Sequence, residues 1–240
     1  MEDDLTELSE NLKRDLKLES APVQISYLNA EPLGIERYPH SVPAGCSFWG
    51  IGTQKEIYAP LSAHENCEIG AFVLGIRPSG ELGSRLSETL GWMEEKGYLG
   101  KGEAAKIPHN SSAPEFVYYG PLGKRDIDPT AVVMFCRPSG AMIALEAASL
   151  YGAHPFNVPL TGRPACSVIP FVLSGRAPVA VSMGCSGFRT YVDAAAGNML
   201  IAVRGDIIAE FASSVAKVAA VNVEVCELDA ERKKEFTKER

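Results

Sequence analysis

Two similarly framed pairs of cysteines place the strongest constraint on how this chain of 240 residues can fold. Cys46 and Cys67 are separated by 20 residues, and Cys166 and Cys185 by 18 residues. Each pair starts at a Pro-Ala turn, passes through an apolar stretch and a short strand-like segment, and ends at a cysteine close to glycine. A fold that brings the two pairs together supplies four thiolates at one point.

Four convergent thiolates would form a metal site, because soft sulfur ligands select zinc, copper(I) or iron–sulfur centres. Structural zinc sites usually contain a Cys-x₂-Cys element, which this chain lacks. The spacing therefore favours an iron–sulfur cluster, a substrate-bridged site or no metal. Free cysteines are also commonly buried as small apolar residues, so from the residues alone that interpretation stays open. Cys136 and Cys226 follow apolar runs and are interpreted as packing residues.

Residues other than the cysteines are candidates for supporting roles. His64 precedes Cys67 by three residues and is a candidate for a fourth or alternative ligand or for a proton donor beside the site, with an exposed loop histidine as the alternative. Arg189 follows Cys185 by four residues, one helical turn, and is a candidate for binding an anionic substrate or offsetting cluster charge, with a surface ion pair as the alternative. Tyr118 and the adjacent Tyr119 are candidates to line a pocket, with packing at the edge of the core as the alternative for a tyrosine at a strand end.

Charge and hydropathy exclude several functional classes. The net charge of −7 argues against nucleic-acid binding, which needs a basic surface to displace counterions. No apolar run approaches the roughly 20 residues that span a bilayer, and the acidic start lacks the features of a secretory signal. We therefore expect no membrane partner and a cytoplasmic location, where disulfides are uncommon. Nucleotide-binding glycine motifs, zinc-protease motifs and hydrolase motifs are absent.

Short β-branched runs alternate with helical patterns and predict an α/β fold, with mixed sheets and helices. Residues 20–98 and 128–225 follow a similar order, which predicts two similar halves related by a weak internal duplication. Val221–Val225 is predicted to be a strand. Four segments are expected: 1–98 as a first half with an N-terminal helix, 99–114 as a linker or exposed loop, 115–226 as a second half, and 227–240 as a charged tail.

A collinear set of short motifs resembles the uncharacterised family called domain of unknown function 169. The motifs are Ala21-Pro-Val-Gln-Ile25, Gly45-Cys46, Glu65-Asn-Cys67-Glu-Ile-Gly70, Leu74-Gly75, Tyr119-Gly-Pro-Leu122, Asp128-Pro129, Val132-Val-Met-Phe135, Pro138-Ser-Gly-Ala-Met142, Ala165-Cys166 and Gly184-Cys185-Ser-Gly-Phe-Arg189. The resemblance implies that cysteines usually stand where Cys46, Cys67 and Cys185 stand, and often where Cys166 stands. It also implies a cytosolic protein of anaerobic bacteria or archaea. The chain departs from the pattern at Ser139-Gly140, where an acidic residue and glutamine are more usual.

The leading hypothesis is a cluster-binding redox protein, in which Cys46, Cys67, Cys166 and Cys185 bind a [4Fe–4S] cluster between the two halves. Its task would be electron transfer to a partner protein or reduction of a small-molecule substrate. One alternative is a non-redox module that binds a small organic molecule, or a tetrapyrrole or corrinoid held by one Cys or His axial ligand. Another is a metal-free reactive thiol at Cys67 or Cys185. The apolar segment Val215–Val225 makes a homodimer a further expectation.

Overall fold

A computed structural model describes residues 2–150, 160–161 and 164–238 of the chain. The strands of this part are β1 (Val23–Leu28), β2 (Ile57–Pro60), β3 (Phe116–Pro121), β4 (Ala131–Cys136), β5 (Leu160–Thr161), β6 (Val179–Ser182) and β7 (Met199–Arg204). Its α-helices are α1 (Glu2–Asp15), α2 (Ser47–Gly52), α3 (Glu68–Leu74), α4 (Gly80–Glu95), α5 (Pro138–Ser149), α6 (Val168–Leu173), α7 (Ser186–Tyr191) and α8 (Ile208–Lys238). The α/β prediction is confirmed.

The strands form one sheet in the order β2-β3-β1-β4-β7-β6-β5. Neighbouring strands run antiparallel, except that the two-residue strand β5 lies parallel to β6. At the centre, β1 pairs with β4 over only three residues of each strand, from Val23 opposite Val133 to Ile25 opposite Ala131. This narrow pairing joins the N-terminal trio of strands to the C-terminal group.

Outward from this central pairing, the strands follow the order β1-β3-β2 on one side and β4-β7-β6 on the other. In each of these trios, the strand that comes first along the chain lies innermost and the strand that comes last lies next to it. The registers also match, because β1 pairs with all six residues of β3, end to end, as β4 does with β7. Helix α2 packs on β3 and β1, and α6 packs on β7, β6 and β4. The internal duplication itself stays a prediction, since β3 lies outside the segment 20–98 that was predicted as the first repeat.

Alternation along the central strands divides the core into two layers. In β4, Ala131, Val133 and Phe135 face a cluster that contains residues of α2, α6 and α7. The intervening residues Val132, Met134 and Cys136 face a second cluster with residues of α1, α5 and α8. Because successive side chains of a strand point to opposite faces, an all-apolar strand such as β4 needs helices on both sides.

Several boundaries differ from the sequence prediction. β3 lies in the predicted second half but pairs with β1 and β2, so the sheet continues across the proposed boundary at 99–114. Within that segment, Leu99 and Ile107 are buried, so it is packed against the body of the protein. The strand prediction for Val221–Val225 is wrong, because these residues belong to α8. The predicted charged tail from 227 continues the same helix as far as Lys238.

No helix in the described ranges is long and apolar enough to cross a membrane.

The packing of α1 on the sheet layer gives a stability prediction. Leu12 is 1% exposed in the cluster shared with α8, so L12A should lower the free energy of unfolding by about 2–5 kcal/mol. Leu33 is 97% exposed, and L33A should change the free energy of unfolding by less than about 0.5 kcal/mol. Urea unfolding monitored by circular dichroism measures both values. Equal effects of the two substitutions would contradict this packing.

Candidate functional site

Each of the four predicted ligand cysteines stands at the beginning of a short helix. Cys46, Cys67 and Cys185 immediately precede α2, α3 and α7. Cys166 lies in a 3₁₀ turn, Ala165–Ser167, that leads directly into α6. The first amides of a helix lack partners within the helix, so the chain presents N–H groups near these sulfurs. One such bond is formed, in which Gly70 N–H donates to Cys67 Sγ at 3.3 Å.

The four cysteines line the same cavity, which has a volume of about 270 Å³. It lies on the sheet face covered by α2 and α6. Most of its wall is apolar, with Trp49, Ile169 and Phe188 near the cysteines, and Leu90 and Met93 of α4 on another side. The structure thus brings together cysteines from both halves of the chain, although they lie far apart in sequence.

Burial and mutual proximity both act on the thiols. Burial, followed by the proximity of Cys185 and Cys67, raises the pKa of Cys46 to about 12. The pKa of Cys166 is raised well above its ordinary value by burial and then by Cys67, Cys46 and Cys185. Burial also raises the pKa of Cys67. Hydrogen bonds from the backbone N–H groups of Gly70 and Gly45 partly offset this rise, because they lower the pKa. These three side chains are therefore neutral thiols at pH 7.

The thiols are not gathered around a single metal position. Within the described residues, no group of three or more His, Cys, Asp or Glu side chains has the geometry to hold one metal ion. Four thiolates around one zinc ion lie about 3.8 Å apart, because each Zn–S bond is about 2.3 Å long. The cysteines thus share a cavity and interact electrostatically without forming a preassembled mononuclear centre.

His64 also lines the cavity, but both of its ring nitrogens are engaged by the protein. Nδ1 lies 3.1 Å from the carbonyl oxygen of Pro60, and Nε2 lies 2.9 Å from the hydroxyl of Tyr119. A carbonyl oxygen can only accept, so Nδ1 carries the proton and the Tyr119 hydroxyl donates to Nε2. Burial lowers the pKa of His64 to about 4, which keeps the ring neutral at pH 7. The ring is therefore placed beside the cysteines as a hydrogen-bonded neighbour.

The other two predicted site residues lie elsewhere. Tyr118 points to the opposite sheet face from Tyr119, and its hydroxyl donates to Glu56 Oε1 at 3.4 Å. Because side chains alternate along a strand, the cavity contains Tyr119 and not Tyr118. Arg189 is not among the lining residues either. Its guanidinium donates to the carbonyl oxygens of Met183 and Ala195, and it therefore holds the turn that carries Cys185.

Two tyrosines of the cavity wall, Tyr27 and Tyr98, were not predicted from the sequence. Tyr27 of β1 lines the cavity, and its hydroxyl accepts a hydrogen bond of 2.9 Å from Asn110 Nδ2. The same amide group donates to the carbonyl oxygen of Leu74 at 3.2 Å. Burial raises the pKa of Tyr27 to about 12, so it keeps its proton at neutral pH. Alternation in β1 could have identified Tyr27, because it lies on the same sheet face as Ile25.

The turn before Cys185 depends on Gly184, whose φ of +87° lies in the left-handed region. A Cβ there would lie 2.6 Å from the ring of Phe188, which is fully buried and cannot move away. G184A should therefore lower the free energy of unfolding by about 2–4 kcal/mol, from backbone strain and overpacking together. Gly197 has a similar φ of +71° with open space around it. The control G197A should cost only about 1 kcal/mol in thermal or urea unfolding. Equal costs would contradict the steric role of Gly184.

The buried neutral histidine predicts a pH dependence of stability. The unfolded chain binds a proton on His64 near pH 6.5, whereas the folded protein binds it only near pH 4. The contribution of neutral His64 to the free energy of unfolding is fully present above pH 6.5. It is lost as the pH falls towards 4, which lowers the free energy of unfolding by about 3 kcal/mol. Urea unfolding at a series of pH values should show a flatter profile for H64Q in this window. The exposed His40 supplies the control H40Q, which should keep the wild-type profile. Parallel wild-type and H64Q profiles would contradict the assignment.

Comparison with known proteins gives one family. The family model DUF169, described as uncharacterised ArCR, matches residues 11–214, a segment that contains all four cavity cysteines. No curated protein and no solved structure shows a significant match. Because the match extends over most of the chain, the protein belongs to the DUF169 family, a domain of unknown function.

Proposed function

We propose that the protein binds an iron–sulfur cluster, [4Fe–4S], through Cys46, Cys67, Cys166 and Cys185. The observation that carries this proposal is that four cysteines from two distant parts of the chain line one cavity. Four thiolates are the usual ligand set of such a cluster. By contrast, Cys136 lies on the other face of the sheet and Cys226 is exposed on α8.

A cluster needs a different arrangement of ligands from a single ion. Each iron of a [4Fe–4S] cluster binds a different cysteine, so the ligands surround a cage rather than one metal position. The absence of a mononuclear geometry among the described residues therefore does not bear on a cluster, and the support for the proposal is the cavity that the four cysteines share. Most of the wall of this cavity is apolar, which suits a cluster because apolar surroundings limit the access of solvent.

The raised pKa values of the thiols make binding depend on proton release. A thiol must lose its proton before it ligates iron, and the positive metal charge provides the compensating interaction. Burial, followed by crowding with the other thiols, disfavours the thiolates of Cys46 and Cys166, and burial is the main cause that disfavours the thiolate of Cys67. The same crowding becomes favourable once cationic iron lies among them. Cluster binding should therefore strengthen as pH rises over the neutral range.

A redox task follows from this ligand set. The cluster would transfer electrons to a partner protein or to a small-molecule substrate in the remaining cavity. The hydroxyls of Tyr27 and Tyr119 are among the polar groups of the cavity wall that would meet such a substrate, and His64 holds Tyr119 through its hydrogen bond. An oxygen-sensitive cluster and reduced cysteines also favour a reducing compartment, and we infer a cytoplasmic location on this basis.

Two other functions have less support. Cavities for drug-sized ligands are roughly 300–1,000 Å³, so a volume of about 270 Å³ is small for a tetrapyrrole or corrinoid. A reactive thiol needs a lowered pKa, whereas burial raises the pKa of Cys67. His64, which would be the base available to activate such a thiol, is engaged with Pro60 and Tyr119 instead of a cysteine.

The test is purification without oxygen, followed by measurement of iron, acid-labile sulfide and visible absorbance. We expect about four irons and four sulfides per chain after reconstitution, because each thiolate ligates one iron. Serine at any one of the four cavity cysteines should lower the affinity for iron by about tenfold or more. C226S is the matched control and should retain the wild-type iron content, since Cys226 is exposed on α8.

Different results lead to different conclusions. Dependence on a single cysteine would favour a ligand with one axial thiolate. Full binding by all four serine variants, or a folded wild-type protein that takes up no iron under reconstitution, would refute the cluster proposal.

A further inference from the structure

The C-terminal part of α8 extends away from the body of the protein. Ile208, Phe211 and Val215 at the beginning of the helix are buried against α1 and α5. From residue 220 to 236, every side chain but that of Asn222 is exposed. The family match ends at residue 214, so this extension lies outside the region shared with the family. In proteins most of the stability of a helix comes from packing of its apolar face, and this extension has no such packing within the described chain.

The extension carries an apolar stripe on one face. Val218, Val221, Val225 and Leu228 are spaced by three, four and three residues, which is the spacing of core positions in a two-helix coiled coil, and Val218 also packs against the core cluster that α8 shares with α1 and α5. Val221, Val225 and Leu228 are 58%, 46% and 55% exposed. A row of large, solvent-exposed apolar side chains at this spacing indicates a surface that another helix covers.

The charges beside the stripe are those expected of pairing with an identical helix. In a parallel pair, Glu224 would face Asp229 of the second copy, because residues five apart meet across a parallel coil. Two carboxylates would then oppose each other on both sides of the pair. In an antiparallel pair with Val221 against Val225, Lys217 faces Glu231 of the second copy. This register also forms four apolar layers, since Val218 meets Leu228.

We propose that the protein is a homodimer in which the C-terminal extensions of α8 pair in an antiparallel orientation. The occupant of the apolar stripe is a second copy of the chain, selected by the complementary charges at Lys217 and Glu231. The two copies of Glu224 meet at the exposed rim, where water and salt screen their repulsion. Because α8 packs on the sheet face opposite the cysteine cavity, the dimer leaves that cavity accessible.

The proposal is tested by sedimentation equilibrium of the full chain over a range of concentrations, with V221D and L228D as disrupting variants. We expect a wild-type dimer, and a dissociation constant raised by about 100-fold in each variant, because a charge replaces a central apolar side chain. Val223 is the matched control, since it is 59% exposed but lies on the opposite side of α8. V223D should leave the dissociation constant unchanged.

A charge exchange tests the orientation. K217E should weaken the dimer by about tenfold, because two symmetry-related pairs become repulsive. The double variant K217E with E231K should restore wild-type affinity only in the antiparallel arrangement. A monomeric wild-type protein, or equal disruption by V221D and V223D, would overturn the proposal. Failure of the double variant to restore affinity would overturn the antiparallel orientation. None of these results depends on iron binding, so the cluster proposal is tested independently.

Discussion

The short pairing between β1 and β4 is the contact on which the rest of the structure depends. It joins two strand trios that have the same order and the same register. Helix α2 lies on one trio and α6 on the other, both on the same face of the sheet. Cys46 and Cys166 stand at the beginnings of these helices, so a displaced pairing between β1 and β4 would separate the two cysteine pairs.

A buried amide in β1 helps to fix this pairing. Gln24 is fully buried on the face away from the cavity, and its Nε2 donates to Ser26 Oγ at 3.1 Å and to the carbonyl oxygen of Ile127. A shift of one residue would turn Gln24 towards the apolar wall of the cavity and leave its polar atoms without these partners. The register of the central strands and the integrity of the cavity therefore depend on the same side chain.

The sequence was most informative where one signal determined the structure locally. Alternation and β-branching indicated β1, β4 and β7. The strand prediction at Val221–Val225 was wrong, because a run rich in valine occurs both in strands and on the exposed face of a long helix. Residue propensity alone does not distinguish these two structures. Tyr118 and Tyr119 were equally plausible from sequence, since only the sheet's pairing decides which strand face borders the cavity. Arg189 shows a similar limit, because its carbonyl partners become neighbours only in the folded turn.

The division of the cavity wall between distant parts of the chain has a consequence for biosynthesis. The first trio of strands is complete once residue 121 has been synthesised, with Cys46 and Cys67 already in place. The remaining wall, from Pro164 to Phe188, leaves the ribosome much later. Until then the nascent protein has only Cys46 and Cys67 of the four cavity cysteines, and the cavity wall is incomplete. A ligand of the complete cavity therefore binds near the end of translation or after it.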